Sequence, residues 1–208
     1  MMKNLTIRLE NEKDFRKVEN LTREAFWNVY RPGCSEHYVL HVLRDDPAFV
    51  RELDFVLELD EEIIGHVMFM RAEIAADGGG VIPIMTFGPI SIHPKHQRRG
   101  YGKILLDYAL GNAKDMGASA ICIEGNINFY GKCGFVLAST RGIHYHSEPR
   151  ESAVPFFLLN ELREGYLDGV SGVYTPPRGY FVEDADVEAF DAKFPPKEKK
   201  KLPGQLFG

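Results

Sequence analysis

The feature that most constrains the fold is a strand pattern that runs, through a basic turn, into a helix start containing glycine. Residues 81–92 are rich in β-branched and apolar residues. A helical pattern then begins at Gly100, extends to Met116 and ends at Gly117. The apolar residues that we expect on one face of this helix are Ile104, Leu105, Tyr108, Ala109, Ala113 and Met116. Residues 120–123 form a short apolar run, which is typical of a buried strand of the parallel type. The segment therefore predicts a strand–helix–strand unit.

Two helices and an antiparallel hairpin are predicted before this unit. Residues 5–9 predict a first strand, and apolar residues at helical spacing predict helices after residues 11–14 and after Ser35. Alternation over residues 55–59, an acidic turn and the apolar run 63–70 predict the hairpin.

The strand pattern of residues 81–92 is interrupted at Gly88-Pro89. Because proline cannot donate to a strand ladder, we expect an edge or a bulge there. Further strands are predicted at residues 135–137 and 154–159. The order of elements predicts an α/β or α+β fold, a sheet with helices on both faces.

Composition indicates a real core and argues against several function classes. Hydrophobic residues make up 44% and charged residues 26%, as in ordinary globular proteins. The net charge of −5 argues against a nucleic-acid partner. No apolar stretch approaches the ~20 residues that span a bilayer, residues 1–8 lack the features of a signal peptide, and the three cysteines lack zinc-ligand spacing. We therefore expect a cytoplasmic protein with no membrane partner and no metal.

The composition changes near Arg163. From there Gly, Pro, Asp and Lys dominate to residue 208, and the charge run 197–201 predicts a solvated face. We predict one domain over residues 1–162 and a C-terminal extension over residues 163–208. The extension is expected to pack on the core or at a subunit interface, so a homodimer is one expected assembly.

The basic turn before the helix is the segment that indicates chemistry. Gly100 and Gly102 let backbone N–H groups approach an anion closely, and the helix dipole adds positive potential at its N-terminus. Arg98, Arg99 and Lys103 add formal charge. A pyrophosphate group suits such a turn. A turn that only caps the helix is the alternative.

Two other phosphate-binding motifs disagree with this segment. A P-loop requires Ser or Thr where Ile104 stands. A dinucleotide fingerprint requires a third glycine where Leu105 stands. The helix start therefore matches neither motif.

Two segments resemble the GNAT superfamily of acyl-CoA N-acyltransferases. Residues 97–102 (Gln-Arg-Arg-Gly-Tyr-Gly) are similar to its Q/R-x-x-G-x-G/A signature. Residues 129–135 (Phe-Tyr-Gly-Lys-Cys-Gly-Phe) resemble the F/Y-Y-x-x-x-G-F segment that follows its fifth strand. The resemblance covers roughly residues 5–160. Within it, the segments Gly88-Pro89, Glu124-Gly125-Asn126 and Phe129-Tyr130 are similar to a bacterial subgroup described only as predicted acetyltransferases. It implies a mixed, mostly antiparallel twisted sheet with helices on both faces and a splayed fourth and fifth strand.

The same resemblance implies how acetyl-CoA would bind. The pantetheine arm would lie between the splayed strands and pair with the backbone of residues 90–92. Backbone N–H groups from Arg98 to Lys103 would hold the pyrophosphate. The implied residues for binding acetyl-CoA are Ile90, Ser91, Ile92, Gln97, Arg98, Arg99, Gly100, Tyr101, Gly102, Lys103 and Asn126.

For catalysis, the resemblance implies direct attack of a primary amine on the thioester, with Tyr130 as general acid to the leaving thiolate. A packed core aromatic is the alternative role for Tyr130. Many relatives carry a Glu or His base near the positions of Thr86 and Gly88, and neither residue here can act as a base. Glu124 is the nearest carboxylate in sequence to Tyr130 and is the candidate base, acting directly or through water, with a surface residue as its alternative.

Three functions stay open at this level. The first is an N-acetyltransferase acting on a small-molecule or peptide amine. The second is a non-catalytic acyl-CoA-binding or regulatory domain, and the third is a protein whose glycine turn binds no CoA. Residues 144–146 (His-Tyr-His) precede the last core strand, a region that often lines the acceptor pocket of relatives, and plain solvation is their alternative role.

Overall fold

The computed structural model describes residues 4–205. Its strands are β1 (Leu5–Leu9), β2 (Phe49–Leu59), β3 (Glu62–Ala76), β4 (Val81–Ile92), β5 (Ala120–Glu124), β6 (Val136–Leu137), β7 (Ile143–Tyr145), β8 (Phe157–Glu161) and β9 (Gly172–Tyr174). Its α-helices are α1 (Phe15–Phe26), α2 (Glu36–Leu43), α3 (Tyr101–Asp115), α4 (Ile127–Tyr130) and α5 (Asp184–Asp191). None of these helices combines the length and the apolar character that a membrane span requires.

The strands form a mixed sheet in the order β1-β2-β3-β4-β5-β8-β6, with β9 paired to both β3 and β7. Most pairs with a recorded register are antiparallel, as in β5–β8, where Cys122 lies opposite Leu159. β4 and β5 run parallel, and among the described residues their register is limited to Met85 and Ile121. The predicted fold class, including the splayed fourth and fifth strands, is confirmed.

The first of two compact units comprises residues 4–68, 89–105 and 178–205. Helix α1 buries Val18 and Leu21, in agreement with the predicted helical spacing. Arg23 on α1 is 1% exposed, and its Nε donates a hydrogen bond to Asp191 of α5 at 2.5 Å. The C-terminal helix is therefore tied to the first helix by a buried ion pair. The predicted division between residues 162 and 163 stays a prediction.

The second unit comprises Phe69–Gly88 and Leu106–Pro177. Its core contains aliphatic and aromatic residues of β5, β8 and β9, including Cys122, Leu159, Phe157 and Tyr174. Alternation along β5 and β8 places these side chains on one face of the sheet. The core ends at the C-terminal end of β5, where the candidate site begins.

The buried face of α3 agrees in part with the predicted one, since Leu105, Ala109 and Ala113 are buried as predicted. Ile104, Tyr108 and Met116 are exposed, although the prediction placed them on the apolar face. The residues that α3 buries are Leu105, Leu106, Ala109, Leu110 and Ala113. The sequence of this helix is apolar around most of its circumference, so several faces satisfy the spacing and packing selects one.

The interruption at Gly88-Pro89 is not at an edge, because β4 lies between β3 and β5. Of the two expected alternatives, the edge is therefore wrong, and the bulge stays a prediction. Gly88 has a φ of 141°, which side chains rarely adopt, and an ideal Cβ at Gly88 would meet no heavy atom within 4 Å. The glycine is therefore required by the backbone bend before Pro89 rather than by crowding.

Candidate active site

The turn between β4 and α3 has an unusual backbone conformation. After a short 3-10 turn at Pro94–His96, the Gln97 side chain donates a hydrogen bond to the Ile92 carbonyl at 3.0 Å. Arg98 then adopts a φ of 58° and Gly100 a φ of 89°. The left-handed conformation costs a residue with a side chain about 1–2 kcal/mol. Backbone strain of this kind is common at functional sites, where the surrounding structure holds the backbone in the conformation that binds a ligand.

The start of α3 directs backbone donors outward. Ile104 N–H donates to the Gly100 carbonyl at 3.1 Å, so the N–H groups of Tyr101 and Gly102 precede the first intrahelical bond. Such a helix start favours an anion. The cationic side chains of the turn, all exposed, are Arg98, Arg99 and Lys103. The segment therefore has the donors and the charge that a phosphate group requires.

At the end of β4 the side chains of residues 90–92 are buried or half-buried. Ser91 is 2% exposed, and its hydroxyl lies 2.9 Å from the Thr22 hydroxyl of α1. Ile90 and Ile92 are half-buried. An ideal Cβ at Gly65 would lie 2.6 Å from the Ile92 side chain, so a glycine on β3 makes room for it. Any role of Ser91 in binding therefore falls to its backbone.

Asn126 caps the short helix that carries Tyr130. Its side-chain oxygen accepts a hydrogen bond from the N–H of Asn128 at 2.9 Å. The Asn126 carbonyl accepts from Tyr130 N–H at 3.1 Å. The structure thus gives Asn126 a local role in placing Tyr130, and its predicted contact with acetyl-CoA stays a prediction.

The Tyr130 ring is held by aromatic packing. Ring centroids of Phe129, Phe135 and Phe87 lie 4.9, 5.7 and 5.9 Å from that of Tyr130. We call Phe87, Phe129, Tyr130 and Phe135 the Tyr130 group. An ideal Cβ at Gly125 would lie 2.2 Å from Tyr130 Cε2, so the ring passes directly over this glycine. Gly125 stands in the segment Glu124-Gly125-Asn126, but no spacing rule relates it to Tyr130.

Glu124 ends β5 with an exposed side chain. Its Oε1 accepts a hydrogen bond from the Tyr145 hydroxyl at 2.6 Å. Burial is the main cause that raises the pKa of Tyr145, and this hydrogen bond is the second cause. The sequence indicated residues 144–146 as an acceptor region but carried no sign that Tyr145 would meet Glu124. A buried aromatic whose polar atom needs a partner was the available signal.

Thr86 and Phe87 separate two clusters. Burial raises the pKa of Tyr174, and the neighbouring Thr86 hydroxyl opposes this rise. Tyr174 stacks on Phe157 with centroids 5.2 Å apart and lies 6.4 Å from Tyr145. We call Thr86, Glu124, Tyr145 and Tyr174 the Tyr145 group. The structure thus brings Glu124 and Tyr130 into one unit and places no base at Thr86.

Comparison with known proteins supports the resemblance drawn from the motifs. Residues 15–135, more than half of the chain, match the model of the Acetyltransferase (GNAT) family, and this range includes both motif segments. The comparison with curated proteins finds no match.

Solved structures show the same fold. A GNAT family N-acetyltransferase from Escherichia coli in complex with CoA is similar with a TM-score of 0.74 and 22% identity, over 86% of this chain and 93% of that one. A GNAT family acetyltransferase from Brucella melitensis in complex with acetyl-CoA gives 0.68 and 21%, over 86% and 99%. The ribosomal-protein-S18-alanine N-acetyltransferase from Escherichia coli gives 0.51 and 15%, over 77% and 95%.

Proposed function

Since the chain belongs to the acetyltransferase (GNAT) family, we propose that it transfers an acetyl group from acetyl-CoA to a primary amine of a small molecule or peptide. The observation that carries the proposal is the turn before α3. There Arg98 and Gly100 hold left-handed conformations directly before a helix start. Two structurally similar proteins were crystallised with CoA or acetyl-CoA, which supports the same donor here.

The donor set of the turn suits the diphosphate of acetyl-CoA. Residues 97–103 contain three cationic side chains and no carboxylate. Backbone N–H groups of a helix start add neutral donors that carry no desolvation penalty of a buried charge. In our proposal, residues 97–103 hold the diphosphate, and the backbone of residues 90–92 pairs with the pantetheine amides.

The proposed reaction is a direct transfer without an acyl-enzyme. The amine nitrogen attacks the thioester carbonyl carbon, a C–N bond forms, and the C–S bond of the tetrahedral intermediate breaks. Tyr130 gives its hydroxyl proton to the departing sulfur, and Glu124 accepts the proton lost by the nitrogen, directly or through one water. The products are the acetylated amine and CoA, and Tyr130 and Glu124 return to their starting protonation states through solvent.

The test of this proposal removes one oxygen atom. Tyr130→Phe keeps the ring that packs in the Tyr130 group. We expect kcat to fall about tenfold or more while the dissociation constant of CoA stays within twofold, because the hydroxyl acts only as the thiolate leaves. CoA release with a panel of amines and calorimetry with CoA measure the two quantities. Unchanged turnover would remove Tyr130 from the mechanism.

A non-catalytic acyl-CoA-binding domain is the second candidate. It is favoured by β4, where neither Thr86 nor Gly88 has a side chain that can act as a base. Calorimetric binding of CoA without CoA release on any amine would establish it. The cytoplasmic location and the homodimer stay predictions.

A further inference from the structure

The Tyr130 group and the Tyr145 group face opposite sides of the sheet. Thr86 and Phe87 are consecutive residues of β4, and consecutive side chains of a strand point to opposite faces. Ile84, which lies on the same face of β4 as Thr86, belongs to the core cluster that contains Tyr145 and Tyr174. Phe87 meets Tyr130 and Phe135. The phenol of Tyr130 and the phenol of Tyr145 therefore belong to opposite faces of the same strand.

The Tyr145 side chain is fixed in place. It is 9% exposed, and its ring lies 4.8 Å from His146, 5.4 Å from Phe156 and 5.3 Å from Phe157. Its hydroxyl donates to the Glu124 carboxylate at 2.6 Å, a length typical of a charge-assisted O–H···O⁻ bond. An exposed glutamate at a strand end has several rotamers open to it. This bond selects one of them.

We propose that Tyr145 is a positioning residue that holds the Glu124 carboxylate where it accepts the proton of the acceptor amine. The proposal rests on the proposed function, in which Glu124 is the base. The amine nitrogen needs the base on the side from which it attacks, whereas the sulfur needs the acid on the side from which it leaves. The two phenols lie on opposite faces of β4, so the carboxylate held by Tyr145 is kept separate from the hydroxyl of Tyr130.

The test compares Tyr145→Phe, Glu124→Gln and the double variant. Phenylalanine keeps the ring packing and removes only the bond to Glu124. We expect Tyr145→Phe to lower kcat about tenfold, because a carboxylate released from its rotamer is less often aligned with the proton. We expect an unchanged KM for acetyl-CoA and an unchanged melting temperature. In the Glu124→Gln background, Tyr145→Phe should have no further effect on kcat, because residues that act as a unit are not additive.

Tyr166→Phe is the matched control. The Tyr166 hydroxyl donates at 2.7 Å to the Pro83 carbonyl, so this change removes a hydroxyl bond of similar length from the same unit without touching Glu124. Its kcat should equal that of the unaltered protein. If Tyr145→Phe keeps kcat within twofold, or if the effects of Tyr145→Phe and Glu124→Gln multiply, the proposal is wrong.

A second readout does not depend on turnover. Coupling of an amine tag to carboxylates by a water-soluble carbodiimide, mapped by mass spectrometry, reports how available Glu124 is. Tagging of Glu124 should become several-fold faster in Tyr145→Phe and stay unchanged in Tyr166→Phe. Equal tagging rates in all three proteins would overturn the positioning role, whatever the turnover. Faster tagging in a protein that acetylates no amine would show that the proposed function fails, and it would leave Tyr145 a structural role only.

Discussion

The turn at residues 97–103 and the Tyr130 group hold their functional groups by opposite means. In the turn, side chains are exposed, and the shape comes from the main chain, through left-handed residues such as Gly100. In the Tyr130 group none of the four named residues has a positive φ, and the shape comes from rings packed around Tyr130.

The difference appears clearly in two glycines. Gly100 has a φ of 89° and open space where a Cβ would be, so its backbone angle requires glycine. Gly125 is not among the described residues that have a positive φ, yet a Cβ at Gly125 would overlap the Tyr130 ring. At Gly100 the absence of a side chain permits the backbone conformation, whereas at Gly125 it permits the contact with the Tyr130 ring. Substitutions at the two should therefore change different quantities.

The largest effect is expected at Gly125. Gly125→Ala places a methyl group 2.2 Å from Tyr130 Cε2, and the ring must move. We expect kcat to fall about 100-fold, since a displacement of about 1 Å in a catalytic group costs that much. Steady-state kinetics measure it, and the dissociation constant of CoA should stay within threefold.

Gly131→Ala is the control for this change. An ideal Cβ at Gly131 meets nothing closer than 3.6 Å, from Ile127. It should leave kcat nearly unchanged. Equal losses at the two glycines would mean that the whole segment, rather than the Tyr130 contact, is sensitive.

An intermediate effect is expected at Gly100. Gly100→Val forces a β-branched side chain into a left-handed conformation and should lower the free energy of unfolding by about 2 kcal/mol. It should also weaken CoA binding about tenfold, because the N–H groups around it move. Denaturant melts and calorimetry measure the two effects.

Gly117→Val provides the comparison at the other end of α3. Gly117 has a φ of 92° and open space around its missing Cβ, so the cost in stability should be the same. CoA binding should not change. Equal binding by Gly100→Val and Gly117→Val would contradict the proposed role of the turn.

The smallest effect is expected at Arg98. Arg98→Gly relieves the left-handed strain of about 1–2 kcal/mol at an entropic cost of about 0.5–1 kcal/mol, so the melting temperature should rise by about 2 °C. Binding of CoA should weaken about threefold through the lost charge. Arg99→Gly loses the same charge, but Arg99 is not among the described residues with positive φ. It should therefore show no rise in a thermal melt, and a rise in both variants would refute the strain argument.

Local patterns predicted much of this fold and the two motif segments. The helical spacing of α1 and the order of strands depend on neighbours in sequence, and the structure has both. The turn was predictable for the same reason, since glycine permits a tight turn and arginine adds charge at its own position in the sequence.

Contacts between segments that are distant in sequence were not predicted. Tyr145 lies 21 residues from Glu124 along the chain, and only the packing of the Tyr145 group brings the two together. The partial disagreement at α3 has a related cause. Ile104 and Leu106 are equally apolar, and the choice between them depends on what packs against the helix.

The ion pair between Arg23 and Asp191 has a consequence for biosynthesis. These residues are 168 positions apart, and Arg23 is almost completely enclosed. A guanidinium group in a protein interior needs its counter-ion. The first helix emerges from the ribosome long before its carboxylate partner is translated, and long-range closure of this kind slows folding. During that interval the guanidinium group of Arg23 stays hydrated, and it loses its water only when the last helix packs against the first.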